Sequence, residues 1–195
     1  MLHCDLQVMK AIPKSLHKIA QHEEFMQETP YLKDQNHLIE KLKTIPFLRS
    51  FDEKQLKEIL NSSKIRKYEP GEIVITEGLY DSWIYVIISG EVKVTKKEEE
   101  ISRLGHVGDI FGELAVIDGQ ARSASVYAVN KITCLAMDAS LLAKMDIDDL
   151  NIFYLVFYRL LAEILANRLR TTSHELAQVK EKLESIENFV EKRWY

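Results

Sequence analysis

The apolar positions change their rhythm twice along this chain. Up to about residue 45 they are scattered among charges (Leu16, Ile19, Phe25, Leu38, Leu42), with breaks at Pro13 and Thr29-Pro30, and the spacing predicts short amphipathic helices. Ser50-Phe-Asp-Glu53 has the pattern of a capping box, and Leu56, Ile59 and Leu60 follow on one face, which predicts a helix to about Asn61. From Lys64 to Met137 the texture turns to short β-branched and aromatic runs separated by glycine. Ile73-Val74-Ile75, Trp83 to Ile88, Glu91 to Thr95, Ser123 to Val129 and Ile132 to Met137 are expected strands. Ser89-Gly90 is expected to turn a tight hairpin, and the charged run Lys96 to Glu100 to form a solvated hairpin tip. Regular short strands with glycine turns predict a sandwich or closed roll.

After Asp138 there is no further Gly or Pro, and apolar residues return at helical spacing, so a long helix follows, preceded by a short one. Leu155, Tyr158, Ala162, Leu165, Leu169, Thr172, Leu176, Val179, Leu183, Ile186 and Val190 keep spacings of three and four without a slip, the pattern of a coiled coil. With Leu155 at position a, Glu175 meets Lys180 and Lys182 meets Glu187 across a parallel pair, both attractive, which favours a parallel homodimer. Ile152, Phe153, Val156 and Phe157 widen the apolar face of the first turns, as packing on the protein's own core would require. Leu at a with Val or Ile at d also suits higher oligomers. The expected organisation is an N-terminal helical extension over residues 1–45, a β-roll over 46–137 and a C-terminal helix over 138–195. The fold class is α+β: an antiparallel, jelly-roll-like β-roll with N-terminal helices and a long C-terminal dimerisation helix.

Composition narrows the function classes. At 195 residues the chain holds one domain with a real core plus extensions. A formal charge of −4 and a pI near 5.9 offer no broad basic face, so direct nucleic acid binding is not expected. Cys4 and Cys134 stand far apart, without His or Cys at metal-ligand spacing, and are expected as reduced thiols, Cys134 in the core. The longest apolar stretches are far short of the ~20 residues that span a bilayer and no signal-peptide pattern opens the chain, so a cytoplasmic location is expected, away from the membrane. The six His residues form no ligand cluster and no nucleophile-base pattern occurs, so neither a metal site nor enzymatic activity is expected.

The chemistry concentrates in Phe111-Gly-Glu-Leu-Ala-Val-Ile-Asp-Gly-Gln-Ala-Arg122-Ser-Ala-Ser125. Gly112 lets a ligand approach the backbone, and Glu113 to Ile117 can make one helical turn whose unpaired N–H groups face an anion. Arg122 adds a cation able to take two phosphate oxygens, and Ser123 adds a hydroxyl donor. Glu113 repels phosphate but accepts well from a sugar hydroxyl. An anion site beside a sugar-hydroxyl acceptor describes a nucleotide. The alternative is that Glu113 and Arg122 pair with each other and pin a loop in a domain without ligand.

This segment resembles the phosphate-binding cassette of the cyclic nucleotide-binding domain family, Phe-Gly-Glu-(Leu/Ile)-Ala followed by Arg-(Ala/Ser/Thr)-Ala. Pro46-Phe-Leu, Glu69-Pro-Gly-Glu72, Ile87-Ile-Ser-Gly-Glu91 and Gly108-Asp-Ile-Phe-Gly-Glu113 agree with it, over about residues 46 to 175. The resemblance implies that Glu113 binds the ribose 2′-hydroxyl and Arg122 the cyclic phosphate, with Gly112, Leu114, Ala115, Ser123 and Ala124 completing the cassette. Ala121 departs from the family, where many members carry Pro before the Arg, and that bears on loop rigidity. Arg168-Leu-Arg-Thr-Thr172-Ser173 resembles the dimer helix of the bacterial cyclic AMP receptor family, where a Thr and the following Ser of the other subunit contact adenine. Arg168 at g also lies near the partner's e position in a parallel pair, and the resemblance brings Arg168 toward Glu113. Otherwise Thr172 simply fixes register. The resulting expectation is a cyclic-nucleotide sensor that takes cAMP, with cGMP as the alternative ligand, and signals through its dimer helix. A ligand-free dimerisation module of the same fold is the rival. The sequence ends at Tyr195 without the helix-turn-helix that the receptor family normally carries, and it names no downstream effector.

Overall fold

The structure, a computed structural model, describes residues 26–142 and 150–194. The expected helical positions Leu16, Ile19 and Phe25 lie outside the described residues. A two-residue strand β1 (Gln27–Glu28) begins the described chain, followed by a 3-10 turn, a single-turn α1 (Ile39–Leu42) and a second 3-10 turn over Pro46–Ser50. Helix α2 (Glu53–Asn61) ends where its apolar face predicts, but its capping box is displaced from the expected one. Ser50 belongs to the 3-10 turn that Pro46 initiates. Asp52 is the cap instead: its carboxylate accepts from the Gln55 backbone N–H at 2.8 Å, and the Gln55 side chain accepts from the Asp52 N–H at 3.0 Å. Leu56, Ile59 and Leu60 are buried as their spacing requires.

Eight strands follow: β2 (Ser63–Tyr68), β3 (Ile73–Ile75), β4 (Trp83–Ser89), β5 (Val92–Lys96), β6 (Glu99–Leu104), β7 (Ile110–Phe111), β8 (Ser125–Ala128) and β9 (Ile132–Asp138). They form two antiparallel sheets, in the orders β1-β2-β9-β4-β7 and β3-β8-β5-β6. The interior is filled by the alternate residues of both: Tyr85 and Ile87 of β4, Cys134 and Ala136 of β9, Val92 of β5 and Val126 of β8. Tyr85 stacks on Phe111 with centroids 5.0 Å apart. This is the β-roll of the expected α+β class.

Ser89-Gly90 does not make a hairpin. β4 pairs with β7 and β9, whereas β5 pairs with β6 and β8, so this corner carries the chain from one sheet to the other. Gly90, at φ +94°, passes so close to residues 130–132 that a Cβ would sit 2.5 Å from the Lys131 carbonyl oxygen. The expected hairpin tip is real but shorter. Lys97 and Glu98 alone turn it, both with positive φ as a two-residue type I′ turn requires, while Glu99 and Glu100 already belong to β6.

Between β7 and β8 lies α3 (Glu113–Asp118), and β9 runs into a short α4 (Ala139–Leu142). The chain divides into two compact units, Met1–Ile147 and Asp148–Tyr195. The second contains α5 (Leu150–Trp194), whose 45 residues extend about 67 Å at 1.5 Å per residue. Leu155, Leu169, Leu176, Val179, Leu183 and Ile186 are all exposed on it.

Candidate functional site

The sequence places Gly112 between a buried β7 and a one-turn helix, and the fold uses its conformational freedom. Gly112 adopts φ +82° as the cap of α3, and a Cβ there would meet the Arg122 Nη1 at 2.8 Å and the Trp83 carbonyl oxygen at 3.0 Å. Only glycine allows Arg122 to pass beneath this turn. Its guanidinium then donates from Nη1 to the Gly112 carbonyl and from Nη2 to the Trp83 carbonyl, the latter at 2.5 Å.

The carboxylate that receives Arg122 is Asp81. Nε donates to Oδ2 at 3.0 Å and Nη2 to Oδ1, a bidentate pair. The Arg122 side chain is 2% exposed and that of Asp81 35%, so the pair closes the site at its solvent edge. Backbone bonds lock the two loops in register: Arg122 N–H donates to Leu79 O, and Gly78 N–H to Arg122 O, each at 2.8 Å. Asp81 was not among the expected site residues. It lies in a polar loop, Tyr80-Asp81-Ser82, forty-one residues before its partner, with no spacing to mark it.

Glu113 is 2% exposed at the first position of α3, so two residues of opposite formal charge are buried in one cassette. The alternative reading pairs Arg122 with Glu113; the carboxylate that its guanidinium meets is that of Asp81. The other cassette residues keep to the same unit: Leu114 is exposed, Ala115 is buried, Ala124 is half-buried, and Ser123 faces solvent. The three remaining expected residues are in the second unit, on α5, where Arg168 is half-buried and Thr172 and Ser173 are exposed.

One neighbouring cluster was also missed. Arg66 on β2 lies over the Trp83 ring, 3.9 Å from its centroid, and donates to the Tyr85 hydroxyl at 2.8 Å. Glu28 on β1 accepts from both Arg66, at 3.0 Å, and Lys64, at 2.5 Å. Partial burial alone would raise the Glu28 pKa, but the Lys64 hydrogen bond and the Arg66 charge outweigh it and hold the carboxyl below its ordinary range. The signal was present as alternate basic residues, Lys64 and Arg66, two apart on one face of β2.

A family model described as "Cyclic nucleotide-binding domain" matches residues 65–146, a stretch that starts within β2 and takes in the cassette and β9. The β-roll belongs to the cyclic nucleotide-binding domain family. The cAMP-dependent protein kinase type II regulatory subunit of Drosophila melanogaster is 35% identical over 101 residues, 52% of this chain and 26% of that protein. The cGMP-dependent protein kinase of Plasmodium berghei is 35% identical over 100 residues, 51% of this chain and 12% of that protein. The chain thus spans about a quarter or less of these relatives' length. Among solved structures, Thermus thermophilus catabolite activator protein aligns with a TM-score of 0.55 at 26% identity, covering 69% of this chain and 63% of that one. A cyclic nucleotide-binding domain from Methylobacillus flagellatus shares the fold at TM-score 0.63 and 19% identity, covering 78% of this chain and 88% of that one. The chain carries a cyclic nucleotide-binding domain, and no helix among its described residues is long and apolar enough to cross a membrane.

Proposed function

We propose that this protein is a cyclic-nucleotide sensor that binds cAMP and reports it through its C-terminal helix. The observation that carries the reading is the burial of Glu113 and Arg122 in one cassette, at 2% and 3% exposure, with Arg122 held by Asp81 rather than by Glu113. A carboxylate and a guanidinium buried in one cassette, with the cation anchored from outside the cassette, suit a ligand that offers a hydroxyl and an anion. Glu113 takes the ribose 2′-hydroxyl. Arg122 takes the cyclic phosphate, assisted by Ser123, Ala124 and the backbone N–H groups of Leu114 and Ala115, with Gly112 allowing the approach. Thr172 and Ser173 of a parallel partner helix contact the adenine and Arg168 supports Glu113, which ties ligand binding to the dimer and so shifts the helix between two arrangements. Exposure of Leu169, Leu176, Val179, Leu183 and Ile186 supports a partner helix on that face. Like other regulatory domains of the family, the protein acts without catalysis and without metal, on an effector outside this chain, in the cytoplasm.

One observation favours the ligand-free dimerisation module as a second reading. Four of the five guanidinium N–H groups of Arg122 are engaged, by Asp81, Gly112 and Trp83, which leaves one donor on Nη1 for an incoming phosphate. Under the sensor reading the phosphate takes that donor and draws the other Nη1 proton from the Gly112 carbonyl. Calorimetry with cAMP and cGMP on protein freed of co-purified nucleotide separates the two. The sensor reading expects saturable binding, tighter for cAMP, that Arg122→Ala abolishes and Glu113→Gln weakens by ~1.5 to 3 kcal/mol. Absence of heat with either nucleotide establishes the module instead. Equal loss of cAMP and cGMP affinity in Thr172→Ala removes the adenine contact from the proposal.

A further inference from the structure

The outer face of the five-stranded sheet carries a cavity that shares no residue with the cassette. Its volume is about 370 Å³. Ile65 of β2, Ile88 of β4 and Leu135 of β9 form one wall, and Leu38, Leu42 and Ile45 of the helical segment that precedes the roll form the other. The only polar side chains that line it are Lys41 and Thr44. Thr44 is turned back, donating from its hydroxyl to the Lys41 carbonyl at 2.7 Å. Lys41 is exposed and makes no ion pair among the described residues, whereas the neighbouring Lys43 is neutralised by Glu40 at 2.8 Å. The cavity is therefore an apolar chamber with one unneutralised cation at its rim.

A closely packed protein leaves few voids larger than a water molecule, and an apolar cavity of ~150 Å³ stays dry and takes up benzene. At the same filling, this cavity has room for roughly fifteen carbon-sized atoms. We propose that it binds a single-chain apolar carboxylate of medium length, with the chain between the sheet and the N-terminal helical segment and the carboxylate at the Lys41 ammonium. A cyclic nucleotide is the wrong occupant, since its phosphate, sugar and base would find one charge and no free hydroxyl or amide partner. A neutral apolar molecule would leave Lys41 without a role, and a second cation is repelled by it. The inference is independent of what the cassette binds.

The test is calorimetry on the full chain with dodecanoate below its micelle concentration, with dodecyltrimethylammonium as the charge-reversed probe. Saturable binding of one dodecanoate per chain is expected, at least ~tenfold tighter than the ammonium probe, a difference of about 1.4 kcal/mol. Leu38→Trp should fill the chamber and weaken binding at least ~tenfold, by the overpacking of a site sized for one chain. Lys41→Glu should remove the preference for the carboxylate while the far-ultraviolet spectrum stays unchanged. Should Leu38→Trp fail to fold, Val107→Trp blocks the rim from a residue that is 57% exposed. Absent binding, equal affinity for the two probes, or unchanged affinity in the blocking variants overturns the proposal.

Discussion

Removing the Asp81 carboxylate tests how the cassette is held. Asp81→Ala leaves the Arg122 guanidinium in place with its carbonyl partners at Gly112 and Trp83, but without the two bonds from Nε and Nη2 to the carboxylate. Deleting one partner of a fully buried ion pair costs ~3 to 5 kcal/mol, because the other charge is left uncompensated. Here the Arg122 side chain is 2% exposed but that of Asp81 is 35%, so water reaches the vacated edge and the expected loss falls to ~2 kcal/mol. Asp81→Asn keeps one carbonyl acceptor and should lose ~1 kcal/mol. Because the carboxylate is what makes the buried cation tolerable, the double variant with Arg122→Ala should lose less than the sum of the singles, by ~1 to 2 kcal/mol. Urea unfolding followed by the fluorescence of Trp83, in a Trp194→Phe background, reads the roll rather than the helix. Midpoints of Asp81→Ala and the parent that agree within ~0.3 kcal/mol, or singles that simply add, would refute the account of Arg122 as a charge carried by Asp81.

Three further outcomes follow from the same geometry. Gly112→Ala should destabilise the roll by ~1 to 3 kcal/mol in the same assay, because the turn needs positive φ and the new methyl meets the guanidinium and the Trp83 carbonyl. Burial pushes the Cys134 thiol from its ordinary 9.0 up to about 12, so it stays neutral in the folded protein. The unfolded chain releases that proton first, so this contribution is intact below pH 9.0 and is lost as pH rises from 9.0 toward about 12. In a Cys4→Ser background, a thiol reagent at pH 9.0 should label Cys134 only at the rate of unfolding. Glu28 titrates in the opposite sense: its folded pKa lies below the ordinary 4.5, so its contribution is present above that value and lost as pH falls below it. Glu28→Gln should therefore shallow the acid side of the stability curve, measured by urea midpoints.

The fold and the site were legible to different depths. Buried positions announce themselves, and β3, β4 and β9 were found within a residue or two, since their apolar runs fill the roll. β6 was missed because Glu99-Glu-Ile-Ser-Arg-Leu104 is exposed along nearly its whole length at a sheet edge, where no alternation is needed. The Ser89-Gly90 corner was misread because a tight hairpin and a sheet change both need glycine at positive φ, and only the partners of β4 and β5 distinguish them. In the cassette, residue types and order single out Glu113 and Arg122 as candidates, whereas Asp81 is brought to Arg122 only by folding. Nothing in a sequence window reaches across forty-one residues to a single Asp in a polar loop.

The Ser89-Gly90 corner also sets the order in which the roll can be completed. Since β4 and β5 do not pair with each other, the strands made early must wait for partners made late: β2 and β4 for β9, and β3 and β5 for β8. On a ribosome adding roughly 5 to 20 residues per second, the four-stranded sheet lacks its joining strand until the polypeptide has passed Ala128, and the five-stranded sheet until it has passed Asp138. Pairings so distant along the chain close slowly. A nascent chain halted within the cassette, before β8, would therefore present two unfinished sheets, each with open edges that invite association.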